Sequence, residues 1–258
     1  MNKRLLMFLT AVIVLSAGII AAMPVFRNTE SAGKVETDAP AASETVSAAE
    51  LVILEDLGSV FHRMDSIKAF EVSGSVSVLD PAESIGTIRQ IYRYAKLDSL
   101  VYYKLGDQEI LSNTEMQLIV DHKAEKIFVS RSQQAIPNPF PSPSAISAFL
   151  TGEGYSIKQK KLNGLRWISL ERPNHITCKE YRIGIDHEGF IRQSYCRLTD
   201  QSDPLNNEKD RILEASADQW MLGEPALSIF SSSRFVVRTA EGYKPVSEYK
   251  DYDLIVIQ

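Results

Sequence analysis

Apolar and polar side chains alternate most regularly between Phe70 and Val78. Phenylalanine and valine occupy every second position there, with Gly74 as the exception, and glutamate and serine fill the positions between them. A period of two residues is that of a β-strand with one buried face, because successive side chains point to opposite sides of a sheet. The pattern therefore predicts a strand. Asp80 and Pro81 end it, because proline cannot donate to a strand ladder.

Short runs rich in isoleucine, valine and tyrosine continue this pattern. They predict further strands at Ile88 to Leu97, Leu100 to Leu105, Met116 to Val120 and Lys126 to Ser130. Glycine and aspartate between the runs mark tight turns. We therefore predict that the chain from Phe70 to Arg131 forms a meander of antiparallel strands, in which the solvent face of the second strand, with Ile91 between Arg89 and Arg93, is not cleanly polar.

A helical pattern precedes the meander. From Ala48 to Ile67, large apolar residues recur every three or four positions, which is the spacing of one buried helix face. Ser47 and Glu50 have the sequence signature of a capping box at the start of such a helix. We predict a helix packed against the following sheet. A helix on a membrane surface is the alternative, which the acidic polar face disfavours because it repels anionic lipid.

The segment from Pro137 to Pro143 places proline at every second position, so it can neither join a strand ladder nor continue a helix. Ser144 and Gly152 bracket a short helical run behind it. Two interpretations remain open here, a plain connector or a mobile lid over a cavity. In the second, the apolar underside of the lid consists of Phe140, Phe149 and Leu150.

Two hairpins are predicted next, one from Tyr155 to Glu171 and one from Ile176 to Thr199. If a three-residue loop connects the strands of the second hairpin, the register places Cys178 directly opposite Cys196. Cysteines that face each other in an oxidising compartment close a disulfide, so we predict one here. Two buried thiols in a different register are the alternative.

The C-terminal part mixes two patterns. Asp210 to Trp220 fits a strand or a short helix, whereas Ser231 to Arg238 and Tyr252 to Ile257 have the β-branched composition of strands. Tyrosines cluster near Tyr252, where aromatic residues commonly close a β core. The fold class that this order of elements predicts is α+β, mainly β.

The N-terminal residues have the composition of an export signal. Basic residues precede an uncharged apolar run from Leu5 to Met23, which is the order of a bacterial signal peptide and is also long enough to span a bilayer. Residues 1–27 are therefore a signal peptide or an uncleaved signal anchor, and both remain open. Residues 28–49 are poor in large apolar side chains and form a flexible tether. Residues 50–258 form a single β-rich domain.

Both interpretations of the signal segment predict the same compartment. Because the basic residues precede the apolar run, the domain lies outside the cytoplasm. It is located in the periplasm, or anchored to the inner membrane and facing the periplasm, with membrane contact through the N-terminal segment if that segment is uncleaved.

Charge and motif content argue against several classes of function. The formal net charge of −5 provides no basic field for nucleic acid. The four histidines stand apart without metal-ligand spacing, and neither a nucleophile elbow nor a phosphate-binding loop occurs. We therefore predict a protein that is not an enzyme and that uses neither a metal nor a cofactor.

The chain resembles the periplasmic lipoprotein carriers of the LolA/LolB type in the order of its elements. An exported N-terminal helix, a β-meander, a Pro-rich insertion leading into a short helix and further hairpins follow one another over roughly Leu51 to Trp220. The run from Pro143 to Gly152 is similar to the proline-containing helix of that family. The resemblance implies a half-open antiparallel barrel with covering helices around an apolar cavity.

Together with the mixed apolarity of the strands, the resemblance assigns residues to a cavity wall. The assigned residues are Val72, Val76, Val101, Tyr103, Met116, Leu118 and Phe128.

Two functional hypotheses follow. In the first, the domain is a non-catalytic envelope protein that binds lipid or lipoprotein acyl chains in the half-barrel, with lipid or an acylated protein as its partner. In the second, the core is filled and the protein is an envelope scaffold that docks a protein partner through a sheet edge or its tyrosine-rich C-terminal part. Apolar residues on both strand faces favour the first.

Overall fold

The structure of the chain is a computed structural model that describes residues 47–81, 87–131 and 154–257. The predicted signal segment lies outside the described residues, as does the Pro-rich segment with Phe140, Phe149 and Leu150. Within the described ranges the chain forms one α-helix, α1 (Ala48–Ser66), and fourteen strands. The strands are β1 (Ala69–Leu79), β2 (Thr87–Leu97), β3 (Leu100–Leu105), β4 (Gln108–Ser112), β5 (Met116–Asp121), β6 (Lys126–Arg131), β7 (Ser156–Leu162), β8 (Leu165–Glu171), β9 (Cys178–Ile185), β10 (Ile191–Leu198), β11 (Arg211–Leu222), β12 (Val236–Thr239), β13 (Gly242–Pro245) and β14 (Asp253–Ile257).

Helix α1 begins with the capping box that the sequence predicts. The backbone N–H of Ser47 donates to Glu50 Oε2 at 2.9 Å, and the backbone N–H of Glu50 donates to Ser47 Oγ at 3.2 Å. The predicted amphipathic helix is confirmed, and its buried large apolar residues are Leu54, Leu57, Val60, Phe61 and Met64.

The chain divides into two compact units. Strands β1, β2 and β11 each have residues in both units. Of the described residues, the first unit comprises 47–66, 77–81, 87–88 and 154–215, and the second comprises 67–76, 89–131 and 216–257. The single domain over residues 50–258 stays a prediction. Three strands have residues in both units, as the strands of one domain would.

Each unit contains a run of hydrogen-bonded strands. The order is β11-β10-β9-β8-β7 in the first unit and β14-β6-β5-β4-β3-β2-β1-β11 in the second. Neighbours from β2 to β6 and from β7 to β10 pair antiparallel, whereas β14 pairs with β6 in parallel. Strands β7 and β14 stand at the two ends of this strand order. The α+β, mainly β class with an open antiparallel sheet is confirmed.

In the first unit, polar contacts fix α1 against two hairpins. Glu50 Oε1 accepts a hydrogen bond from the backbone N–H of Ile157 at 3.1 Å, and Asp56 forms an ion pair with Arg166. These contacts place the helix on the β7–β8 hairpin. Arg63 reaches the next hairpin, where its guanidinium lies 5.2 Å from the centroid of the Phe190 ring.

In the second unit, the chain that follows β11 covers one face of the sheet. Leu118, Ile127 and Val129 of the strands are at most 2% exposed, and they cluster with Phe235 and Val236 of the covering segment. The tyrosines of the C-terminal part pack against the same cluster. This agrees with the expectation that these aromatic residues close the β core.

A buried carboxylate lies on this covered face. The side chain of Glu109 in β4 is 5% exposed and accepts hydrogen bonds from Tyr102 Oη at 2.8 Å, Lys104 Nζ at 2.9 Å and Arg234 Nη2 at 3.3 Å. His122 Nε2 lies 3.0 Å from Glu109 Oε1. Burial alone raises the pKa of Glu109, but the hydrogen bonds from Lys104, Tyr102 and His122 outweigh it and hold the pKa at about 2.

Two features of the second unit differ from the sequence prediction. Strand β4 was not predicted, because its Gln108-Glu109 start has the composition of a polar turn unless the partners of Glu109 are known. The run Ser231 to Arg238 is a strand only from Val236, where β12 begins, and a 3-10 turn at Ser232–Arg234 precedes it. The segment after Asp210, for which the sequence left strand and short helix open, forms the strand β11.

The Glu109 cluster predicts a pH-dependent stability. A carboxyl group with a lowered pKa stabilises the folded state above its ordinary pKa of 4.5, and this contribution is lost as the pH falls toward 2. Glu109→Gln should therefore lower the free energy of unfolding by about 3 kcal/mol at pH 7, measured by urea denaturation. The difference from wild type should narrow progressively below pH 4.5.

Glu115→Gln serves as the matched control, because Glu115 is exposed in the loop before β5. It should leave the free energy of unfolding within about 0.5 kcal/mol of wild type at both neutral and acidic pH. A Glu109→Gln variant with the pH profile of the control would contradict a stabilising role for the cluster.

Candidate functional site

One cross-strand row of side chains stands out on the face of the second unit opposite the Glu109 cluster. Its members, which we call the apolar row, are directly opposite one another on β2 to β6: Tyr94, Tyr103, Ile110, Ile119 and Phe128. Directly paired residues share one sheet face. All members are half-buried, whereas Leu111 and Leu118, one position along on the other face, are at most 1% exposed.

Polar residues border the apolar row from β4 to β6. On one side, two positions along the same strands, Ser112, Gln117 and Ser130 are paired with one another. On the other side, Gln108 pairs with Asp121, and Asp121 pairs with Lys126. Across these three strands the row is therefore a stripe one side chain wide, whereas on β3 the apolar residues Val101 and Leu105 flank Tyr103 on the same face. With neighbouring strands about 4.8 Å apart, the stripe is about 19 Å long across its five strands.

Five of the predicted wall residues are placed on this face. Tyr103 and Phe128 belong to the apolar row, and Val101 lies two positions from Tyr103. Val72 and Val76 follow Phe70 by two and six residues, and residues an even number of positions apart in a strand share one face. The ring of Phe70 lies 5.6 Å from that of Tyr94, which links β1 to the row.

Met116 and Leu118 lie on the other face of the sheet. They are 5% and 0% exposed and belong to the cluster with Phe235 and Val236. Along β5 these residues alternate with Ile119, and alternating side chains point to opposite faces. The structure therefore does not bring them together with Tyr103 and Phe128.

Sequence reasoning missed Tyr94, Ile110 and Ile119. Ile110 was missed together with β4. Ile119 was missed because β5 is apolar at Met116, Leu118 and Val120 on one side, and alternation favours that more apolar side as the cavity wall. The polar neighbours of Ile119 along its own face, Gln117 and Asp121, were the available signal that this face is not the packed core.

The hydroxyl group of Tyr103 is buried at the apolar row. No hydrogen-bond partner for it is found within the described part of the chain. Burial raises the pKa of Tyr103, and neighbouring Tyr92 raises it further. The group therefore stays protonated and remains a donor at physiological pH.

A polar pocket of about 400 Å³ is also present in the second unit, between β1, β2 and β11. Arg89 Nη2 donates to Ser75 Oγ at 3.1 Å, and Ser75 Oγ lies 3.1 Å from Ser216 Oγ. The pocket differs from the expected cavity because none of the predicted wall residues lines it. Four of its six lining residues are polar or charged, but apolar atoms form most of its lining surface. The lining consists of Ser73, Gly74, Ser75, Arg89, Ile91 and Asp218.

The two cysteines of the first unit are neighbours, but in another register than predicted. Cys178 pairs with Leu198, and Cys196 pairs with Tyr181. The predicted direct opposition was wrong because the hairpin loop is longer, with Ile185 pairing with Ile191, and because β10 contains two irregularities. The thiols are nevertheless 3.5 Å apart. Their mutual hydrogen bond lowers the pKa of Cys178 and raises that of Cys196.

The histidines have separate surroundings. His62 and His187 are exposed, His122 belongs to the Glu109 cluster, and His175 Nδ1 accepts from the backbone N–H of Cys178 at 3.0 Å. The predicted lid residues Phe140, Phe149 and Leu150 lie outside the described residues. In the part of the chain that the structure describes, no helix is both long and apolar enough to cross a membrane.

No protein-family model and no curated protein matches the chain. Among solved structures, the chain is similar to an uncharacterized conserved protein from Thermus thermophilus, with 7% identity, a TM-score of 0.43 and coverage of 80% of this chain and 99% of that one. It is similar to a LolA superfamily protein from Nitrosomonas europaea, with 11% identity, a TM-score of 0.32 and coverage of 68% and 97%.

A third similar structure is a putative outer membrane lipoprotein-sorting protein domain from Vibrio parahaemolyticus, with 10% identity, a TM-score of 0.31 and coverage of 70% and 97%. The LolA superfamily, which the order of elements resembles, is thus named among these solved structures. Because the TM-scores lie below 0.5, nothing about the ligands of these proteins is transferred to this chain.

Proposed function

We propose that the chain is a non-catalytic, exported bacterial envelope protein that binds acyl chains of a lipid or of an acylated protein along the apolar row. One observation carries the proposal. The sheet of the second unit has a filled face, sealed by the chain after β11, and an opposite face whose apolar row is half-buried. An antiparallel sheet can leave one face open to water, and here that face bears apolar side chains, so the half-buried face is the one available to a ligand.

The dimensions of the apolar row support a linear apolar ligand. Transfer of each methylene group from water to an apolar surface contributes about 0.8 kcal/mol. The stripe of about 19 Å accommodates one extended chain. Among the polar residues that border it from β4 to β6, Ser112 and Asp121 are already buried, whereas Gln117 and Ser130 are half-buried and lose hydration if a wider apolar body covers them. These features favour an acyl chain over a bulky ligand.

The scaffold hypothesis is the competing explanation. Its tyrosine-rich docking surface is disfavoured, because Tyr243, Tyr249 and Tyr252 pack against the core cluster. Its sheet edge is supported by one feature, the exposure of 37% to 53% for Ile255, Val256 and Ile257 in the end strand β14. A scaffold requires no ligand on the apolar row, so ligand binding discriminates the two hypotheses.

We also propose that Cys178 and Cys196 form a disulfide in the exported protein. The thiols already touch at 3.5 Å, and an S–S bond needs a further approach to about 2.05 Å. The lowered pKa of Cys178 favours its thiolate, which is the form that reacts in disulfide exchange. An oxidising compartment would supply the oxidant.

The disulfide predicts a mass and a stability difference. Protein purified without reductant from the periplasm of a bacterial host should be lighter than the reduced chain by two hydrogens. Reduction should lower the free energy of unfolding by about 3 kcal/mol, the value for a loop of this size. The Cys178→Ser and Cys196→Ser variants should show neither effect. Alkylation of both cysteines in unreduced, denatured protein would contradict the bond.

The ligand proposal predicts that a charge in the apolar row weakens binding. Ile119→Asp places a carboxylate in the middle of the stripe, where a bound chain would desolvate it. Residues 47–258, exported behind a cleavable signal peptide and purified from the periplasm, should carry acyl-chain mass in native mass spectrometry, and the Ile119→Asp variant should lose at least nine-tenths of it. Circular dichroism should show an unchanged fold.

Ile91→Asp is the matched control. Ile91 is an isoleucine of β2 that is 74% exposed and lines the polar pocket instead. Acyl-chain retention should be unaffected by it. If the Ile91→Asp variant loses the acyl-chain mass while the Ile119→Asp variant keeps it, the ligand binds in the polar pocket. If the wild-type polypeptide carries no acyl-chain mass, the result favours the scaffold hypothesis.

A further inference from the structure

The Tyr103 hydroxyl differs from the other buried tyrosine hydroxyls whose contacts the structure defines. Tyr102, the preceding residue, donates to Glu109 Oε2 at 2.8 Å, and Tyr155 donates to the carbonyl oxygen of Cys178 at 2.6 Å. The Tyr103 hydroxyl is just as inaccessible but has no partner among the described residues. A buried donor without an acceptor costs about 1–3 kcal/mol, so an acceptor from outside the chain would be stabilised there.

The position of this donor defines where an acceptor would lie on the apolar row. Tyr103 is the second member of the row, beside Tyr94, and their ring centroids are 6.5 Å apart. Ile110, Ile119 and Phe128 follow it in one direction and carry no polar atom on their side chains. An extended ligand with one hydrogen-bond acceptor at its end and an apolar chain behind it matches this order.

We propose that Tyr103 Oη donates a hydrogen bond to the carbonyl oxygen of a bound acyl group, whose hydrocarbon chain then runs along Ile110 and Ile119 toward Phe128. The inference rests on the proposed function, since it assigns the orientation and the recognised chemical group of the same ligand. Tyr103 is thus a specificity residue that distinguishes an acyl carbonyl from a plain alkyl chain.

A matched pair of lipids tests the inference. Lysophosphatidylcholine with a hexadecanoyl ester and its hexadecyl ether analogue have the same headgroup and nearly the same chain length, but the ether lacks the carbonyl oxygen. Isothermal titration below the critical micelle concentration should show about tenfold tighter binding of the ester to the wild type, the value of one buried hydrogen bond.

Tyr103→Phe removes the donor and keeps the ring. It should bind the ester and the ether equally within about twofold, with an affinity for the ether no weaker than that of the wild type. Tyr243→Phe, which removes a hydroxyl group beside the cluster on the opposite face, should keep the preference for the ester. Loss of the preference in this control as well would overturn the assignment to Tyr103.

The stability of the ligand-free Tyr103→Phe variant provides an independent readout. If the hydroxyl has no partner in the free protein, the variant should have a melting temperature equal to or above that of the wild type. A lowered melting temperature would show that the hydroxyl is bonded within the free chain, which overturns the inference.

The outcomes separate the two proposals. If the wild type binds the ester and the ether equally, the role of Tyr103 is overturned and its hydroxyl donates to a bound water instead. The proposal of acyl-chain binding then still stands. Binding of neither lipid overturns both.

Discussion

The arrangement of the second unit depends on the hydrogen bonds and ion pairs of the Glu109 carboxylate. A buried charge is stable only when it is paired and hydrogen-bonded, and the donors to Glu109 come from β3, from the turn after β5 and from the segment before β12. Arg234 therefore brings the chain after β11 to this face of the sheet, where Phe235 and Val236 complete the core. The contact between Arg234 and Glu109 favours this face of the sheet for the segment after β11, and burial of apolar side chains stabilises the segment there.

The covered face determines what the opposite face can do. The chain itself seals one side, whereas the side chains of the apolar row on the other side are half-buried. The polar residues that border the row restrict this surface to a stripe, and the Tyr103 hydroxyl adds one directional group to an otherwise apolar surface. Shape, apolarity and a single donor together describe a surface for an acyl chain.

The sequence predicts elements better than faces. The capping box of Ser47 and Glu50 and most strand positions follow from neighbouring residues, and the structure confirms them. In contrast, β5 has an apolar side with Leu118 and a side on which Ile119 stands between Gln117 and Asp121, and alternation alone did not show that the apolar side is the packed core and not a cavity wall. The hairpin with Cys178 and Cys196 illustrates the same limit, since a longer loop and two irregularities changed its register.

By itself, the sequence determined the α+β class, the helix α1 with its cap and the succession of antiparallel hairpins, because these depend on the period of side chains and on turn residues close in the chain. Only the tertiary structure decided which strand face is filled, that β14 joins β6 in parallel, and that Glu109 is a strand residue with four partners. These features depend on residues far apart in sequence, whose contacts no local pattern records.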